Sequence, residues 1–171
     1  MNENKDLRTP AIQFGVDNEP VTRCLYYEKY CETHKGANIT QTGMFIDAEY
    51  PILGASLDGP VSCHCCGKGL LEIKCSAKYK DKSPNKVCSE NYYQLYLDEN
   101  NKVSLKYDSH WYIQIHGQMG VCKMKWCDFV FYTTQDIYVE RIYFDEDVSK
   151  NIVNKSMRFY KKYVINKLLA K

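Results

Sequence analysis

The sequence predicts an α/β fold, with one central mixed β-sheet flanked by helices. Two observations carry this: an order of helix, strands, helix, strands, helix, and the size of the chain. At 171 residues the chain is long enough for one domain with a substantial core and too short for two ordinary ones.

The elements follow from local pattern. From Val16 to about Thr33, Val21, Leu25 and Tyr26 recur at helical spacing among polar residues such as Glu28 and Lys29, and Gly36 ends the region. Gln41 to Asp47 and Ile52 to Ser56 read as short strands, separated by Pro51 and closed by the turn pair Asp58-Gly59. Val61 to Lys68 reads as a loop. The run from Leu70 to Cys75 is short, mainly apolar and preceded by glycine, which favours a buried strand. A polar, lysine-rich stretch over 78–86 precedes a hairpin in which Tyr92 to Leu97 and Val103 to Tyr107 flank Asp98-Glu99-Asn100-Asn101. A helix is expected from Ser109 through Cys122, then strands near Cys127 to Tyr132 and Ile137 to Phe144. Asp145 suits a helix cap, and Val148, Ile152, Tyr160, Val164 and Leu168, spaced by multiples of four, predict one long amphipathic helix after it.

Composition narrows the function classes. A net charge of +2 is too small for a protein that binds polyanions by overall charge, so any such binding has to be local. No apolar run reaches the roughly 18 residues that a membrane span needs, and the opening MNENKDLRTP carries no secretory signal. The expectation is a soluble, intracellular protein with no membrane partner. Nine cysteines, an odd number at irregular spacing, read as reduced thiols of a reducing compartment.

The chemistry-bearing element is Glu72-Ile73-Lys74 on the expected core strand. Alternation puts Glu72 and Lys74 on one face, and an acid and an amine taken out of water need each other or a metal. A structural salt bridge explains a bare pair equally well. Asp58 adds a third group, fourteen residues before Glu72, at the end of the preceding strand, where neighbouring strands can bring the two carboxylates together. Converging carboxylates repel, and a divalent cation with oxygen ligands relieves the repulsion. The Ile73 carbonyl can add a ligand, and Lys74 beside the ion can orient or deprotonate a water and balance charge on a phosphate.

Three segments taken together, G-A-S-L-D-G at 54–59, G-L-L-E-I-K-C at 69–75 and Y-I-Q-I-H-G-Q-M at 112–119, resemble the YqaJ-like viral recombinase family, relatives of phage lambda exonuclease in the PD-(D/E)xK nuclease superfamily. K-W-C-D-F-V at 125–130 and V-E-R-I-Y-F-D at 139–145 are similar to that family too, so the resemblance covers most of the chain from Gly15 onward. It implies a restriction-endonuclease-like core, Mg²⁺ with Mn²⁺ able to substitute, and 5′-to-3′ exonuclease action on duplex DNA in recombination or end processing. A structure-specific endonuclease and a non-catalytic DNA-binding remnant are the alternatives. Duplex DNA with a 5′ end is the implied partner, with a single-strand annealing protein and a ring-shaped homo-oligomer as further implications.

By the resemblance, Asp58, Glu72, the Ile73 carbonyl and Glu19 are metal ligands, Lys74 is the catalytic lysine, and Gln114 belongs to the catalytic set. Ser56, Gln118, Lys78 and Lys80 are implied DNA contacts. Departures are visible. Leu57 stands where many superfamily members have proline, and His116 where glutamine is frequent. Residues 1–14 lack the arginine-containing segment and Ala-Ser helix of the family, so they read as a tail or truncated segment ahead of a nuclease domain over 15–171. Cys63 and Cys66 have the spacing of one zinc knuckle, but no second ligand pair is evident beyond an approach by Cys75, so a structural Zn²⁺ is not expected.

Overall fold

The computed structural model describes residues 9–90 and 94–170. Its centre is a five-stranded mixed sheet in the order β1-β4-β5-β8-β9. These strands are β1 (Asn38–Ile39), β4 (Gly59–Cys63), β5 (Gly67–Cys75), β8 (Trp126–Tyr132) and β9 (Ile137–Tyr143). Only β5 and β8 run parallel; every other pairing in the sheet is antiparallel.

The sheet is covered on both faces, which explains why β8 is buried at every position. On one side lies α1 (Pro10–Thr33), with Thr9 accepting at its N-terminus from the Ile12 amide. Its buried line is Thr22, Tyr26 and Tyr30, spaced four apart, packed near Val61, Leu71, Ile73, Trp126 and Val130. Val21 and Leu25, expected to face the core, are exposed instead. The helix also starts earlier than expected, taking in residues 10–14 of the supposed tail.

The other face packs on α3 (His110–Cys122), capped by Ser109, whose Oγ accepts from the Tyr112 amide. Ile115 and Met119 of α3 join Leu70, Cys127, Phe129 and Phe131 in the larger core cluster. Strand alternation sorts β5 between the two clusters: Leu71 and Ile73 toward α1, Leu70, Glu72 and Lys74 toward α3.

Several expected segments are rearranged. The stretches at 41–47 and 52–56 contribute only β2 (Phe45–Ile46) and β3 (Gly54–Ala55), paired with each other outside the main sheet. Asp47 there accepts from the amides of Glu49 and Tyr50, so the polar turn takes residues assigned to strand. Most of the expected loop at 61–68 is strand, because β4 and β5 form a hairpin with a short turn at 64–66. Gly69 on β5 lies against the Trp126 ring, where a Cβ would come within 2.3 Å. The lysine-rich stretch ends in a short helix, α2 (Pro84–Ser89).

The expected hairpin is present as β6 (Leu95–Leu97) and β7 (Val103–Leu105), while Tyr92 and Tyr93 lie outside the described residues. It stands beside β9, with Glu140 accepting from Ser104 Oγ and the Leu105 amide. The terminal helix starts as expected, with Asp145 capping α4 (Glu146–Phe159). A π-helical turn at Tyr160–Val164 then interrupts it before α5 (Ile165–Leu169), so the four-residue spacing does not hold one face throughout, and Leu168 is exposed.

Candidate active site

Asp58 immediately precedes β4, and Gly59 pairs with Leu71 across the hairpin, which sets Asp58 beside the Glu72–Ile73 end of β5. Its Oδ2 accepts a 2.6 Å hydrogen bond from the Ile73 amide. The carboxylate thus takes up the donor that β4 leaves free where its pairing begins. Asp58 and Glu72 therefore lie at the same end of the hairpin.

Glu72 is 2% exposed, yet neither of its oxygens lacks a partner. Oε1 accepts from Lys74 Nζ at 2.5 Å and Gln114 Nε2 at 2.7 Å, and Oε2 accepts from Gln118 Nε2 at 2.7 Å. Lys74 also donates to Gln114 Oε1 at 3.1 Å. Two glutamines one helical turn apart on α3 thus hold the acid and the lysine of β5, and the period-2 and period-4 patterns meet at one point.

Gln118 is buried and turned inward, donating to the Ser56 carbonyl at 3.0 Å as well as to Glu72. Its place is beneath the carboxylate, with both of these bonds made inside the protein. Ser56 itself is exposed, as are Lys78 and Lys80 on the segment after β5. The Lys80 carbonyl accepts from both the amide and hydroxyl of Thr134, which ties that segment to the β8–β9 turn. Departures from the family pattern have structural places too: Leu57 is core, and His116 is fully buried, its Nδ1 2.9 Å from the Tyr112 carbonyl oxygen.

Glu19 on α1 is bonded to Arg23 at 2.6 Å rather than to the strand acids. It is nonetheless near enough to act on Asp58 electrostatically. Burial first, then the Glu72 carboxylate, and more weakly Glu19, push Asp58 up to about 7 against the pull of the Ile73 amide and Lys74. Asp58, Glu72 and Glu19 do not form a tight three-donor cluster. Among the described residues the one such cluster of His, Cys, Asp and Glu atoms is elsewhere, at His34, Cys63, Cys65 and Cys66.

Whether these acids suit a metal can be judged from what the site lacks. A half-buried carboxylate held up by a second carboxylate is short of positive charge, and carboxylate oxygens suit a hard cation. Gln118 Oε1 is buried without a hydrogen-bond partner among the described residues, an acceptor that an ordered water could satisfy. The residues therefore fit Mg²⁺ or Mn²⁺.

Sequence reasoning missed a second polar network on the opposite face of the sheet. Asp128 on β8 is buried, accepts from Tyr26 Oη at 2.6 Å, and is bound in fork fashion by Arg141 Nε and Nη2 at 2.8 and 2.9 Å. Asp128 and Arg141 are register partners on β8 and β9, so the pairing was available only once the strand register was known.

The chain belongs to the YqaJ-like viral recombinase domain family, whose model matches residues 1–125. Among solved structures the fold is similar to that of an alkaline exonuclease, LHK-Exo, from Laribacter hongkongensis, at 25% identity and a TM-score of 0.65, covering 91% of this chain and 69% of that one. A structure of LHK-Exo in complex with dAMP is similar at 24% identity and a TM-score of 0.68, covering 92% and 70%. No curated protein sequence matches the chain. Family and neighbours together support a nuclease or recombinase role.

Proposed function

We propose that this protein is a metal-dependent deoxyribonuclease, acting 5′ to 3′ from the ends of duplex DNA in recombination or end processing, with residues 15–171 as its nuclease domain. The observation that carries the reading is the meeting of Asp58, Glu72 and Lys74 at the shared end of β4 and β5, over Gln114 and Gln118. A salt bridge kept only for stability would not require the second carboxylate beside it, at an electrostatic cost to both. The alkaline exonuclease neighbour supports the direction toward DNA ends.

In this reading Asp58, Glu72 and the Ile73 carbonyl hold Mg²⁺, for which Mn²⁺ can substitute, and Glu19 approaches from α1. N–H and C=O of one strand residue point to the same edge, so the Ile73 carbonyl faces the side on which Asp58 meets its amide. When bound there, such an ion would supply Lewis acidity toward a phosphate and a water. Lys74 would position the attacking water and, as the ammonium bonded to Glu72, balance charge on the phosphate. Gln114 holds Lys74 and Glu72 in register, and Gln118 fixes the second Glu72 oxygen, so neither acid nor amine has to reorganise during the reaction. Ser56, Lys78 and Lys80, all exposed, contact phosphates of the bound strand. A ring of subunits and an annealing protein would complete the resemblance to the family.

End-labelled linear, covalently closed circular and nicked duplexes, each incubated with and without Mg²⁺, test the reading. Nucleotide release from linear ends alone, only with Mg²⁺, is expected. Cleavage of closed circles would replace it with an endonuclease, and no cleavage of any substrate would leave a binding module.

A further inference from the structure

The Cys-rich turn between β4 and β5 lies at the end of the hairpin remote from the acids, and what faces it is His34, the residue that ends α1. We propose that His34, Cys63, Cys65 and Cys66 bind one Zn²⁺ as a structural site that joins the C-terminal end of α1 to the β4–β5 hairpin.

The donor atoms are placed for a single ion. His34 Nδ1 is 3.1 Å from Cys65 Sγ and 3.5 Å from the Sγ atoms of Cys63 and Cys66. Cys63 and Cys65 Sγ are 3.3 Å apart, Cys65 and Cys66 Sγ 3.8 Å, and all four donors lie within 4.8 Å of one another. Two sulfurs at about 2.3 Å from a shared tetrahedral ion stand about 3.8 Å apart, and a sulfur and an imidazole nitrogen somewhat closer. The edges given above run from 3.1 to 3.8 Å, at or somewhat inside that length. Three thiolates and one imidazole are a common structural zinc set, and they are too soft for the Mg²⁺ suited to the carboxylates.

The surroundings are built for it as well. His34 leaves the helix with extended backbone, and its ring stacks on Tyr30 at 4.0 Å, which fixes its direction. Gly67 follows Cys66 with φ +70°, a turn that glycine makes without strain. The sulfurs receive donors: Tyr30 Oη and the Cys66 amide reach Cys63 Sγ at 3.3 and 3.1 Å, and Arg141 Nη1 reaches Cys66 Sγ at 3.3 Å. Three thiolates with Zn²⁺ carry one net negative charge, and Arg141, anchored on Asp128 and stacked over Trp126 at 3.9 Å, stands beside it. The helix end and hairpin are in contact already, since the His64 amide donates to the Lys35 carbonyl at 3.0 Å and its ring occupies the space a Cβ on Gly36 would need. Cys75, whose approach the sequence left open, is elsewhere, 3.6 Å from Thr22 Oγ1.

Elemental analysis of the whole chain, purified under reducing conditions without added metal, tests this. One zinc per chain is expected, in the natural sequence and equally in Asp58→Asn, which removes an acid of the other centre. His34→Ala and Cys65→Ser should lose it. Tyr30→Phe, which keeps the stack and all four ligands, should lower zinc affinity about tenfold. If the ligand variants do not fold, exchange of the natural protein into Co²⁺ still reads the site, by the absorption of tetrahedral cobalt and a thiolate-to-cobalt charge-transfer band. Absence of zinc, a Cys63–Cys65 disulfide in the mass spectrum, an iron–sulfur chromophore, or zinc lost in Asp58→Asn but kept in His34→Ala would each overturn the proposal. None of these outcomes depends on nuclease activity.

Discussion

Asp58 Oδ2 and the Ile73 amide are joined by a 2.6 Å hydrogen bond, and this contact fixes the spacing of the two strand-end carboxylates. It places the Asp58 side chain at the mouth of the β4–β5 hairpin, beside Glu72 and against its charge. Most of what can be tested about the site follows from that crowding.

The pH dependence of stability is the first consequence. An aspartate raised from about 4 to about 7 in the folded chain retains a proton there that the unfolded chain has released. Without added Mg²⁺, stability should therefore fall as pH rises from about 4 to about 7 and then level off. Denaturant midpoints measured across that range should show the fall in the natural sequence and a smaller one in Asp58→Asn. Equal slopes in the two proteins would mean that Asp58 is not held up.

Among the described residues Gln118 supplies the only donor to Oε2 of the buried Glu72. Gln118→Leu keeps the volume and removes the donor, and should destabilise the fold by about 1–3 kcal/mol. Chemical denaturation measures this directly; an unchanged midpoint would show that Glu72 is satisfied in some other way.

Lys80 projects into solvent from a segment whose backbone is tied to Thr134, so Lys80→Ala alters a charge and little else. If it contacts a phosphate, duplex binding should weaken and the slope of log affinity against log salt should fall by about 1. Affinity titrations at several salt concentrations decide this, and an unchanged slope removes Lys80 from the interface.

Gly69 tests the packing that supports the strand. Gly69→Ala forces a Cβ into the Trp126 ring and should cost about 1–3 kcal/mol, whereas Gly43→Ala, with open space around it, should change stability by about 0.5 kcal/mol or less. Thermal or denaturant unfolding of the two variants side by side checks the contrast.

The strand that carries Glu72 and Lys74 was legible in the sequence because its signal is local: a charge pair two apart in an apolar run can only share a face. The α1 face was not, since Val21 and Leu25 advertise one helical phase while Thr22, Tyr26 and Tyr30 occupy the buried one. Tyrosines there bury rings while their hydroxyls reach Asp128 and Cys63, an arrangement that hydropathy does not register. Strand β4 was read as loop because its continuation is a cysteine-rich turn. His34 escaped notice since it is separated from Cys63 by the whole of β1–β3, and only the docking of α1 on the sheet brings the two together. The π-helical turn at Tyr160–Val164 has no counterpart in the four-residue repeat that predicted a continuous helix.

The central claim is that Asp58, Glu72 and Lys74 form one metal-dependent phosphodiesterase centre, and Lys74 is the residue to remove. Its amine is only partly buried, and Gln114 and Gln118 remain bonded to Glu72 without it, so Lys74→Ala should fold. The rate of nucleotide release from a linear duplex in Mg²⁺, measured for the natural sequence and for Lys74→Ala, is the direct measurement. A loss of about 10²–10⁴-fold in the folded variant is the predicted result; equal rates in the two proteins, or release that continues undiminished without a divalent metal, would contradict it.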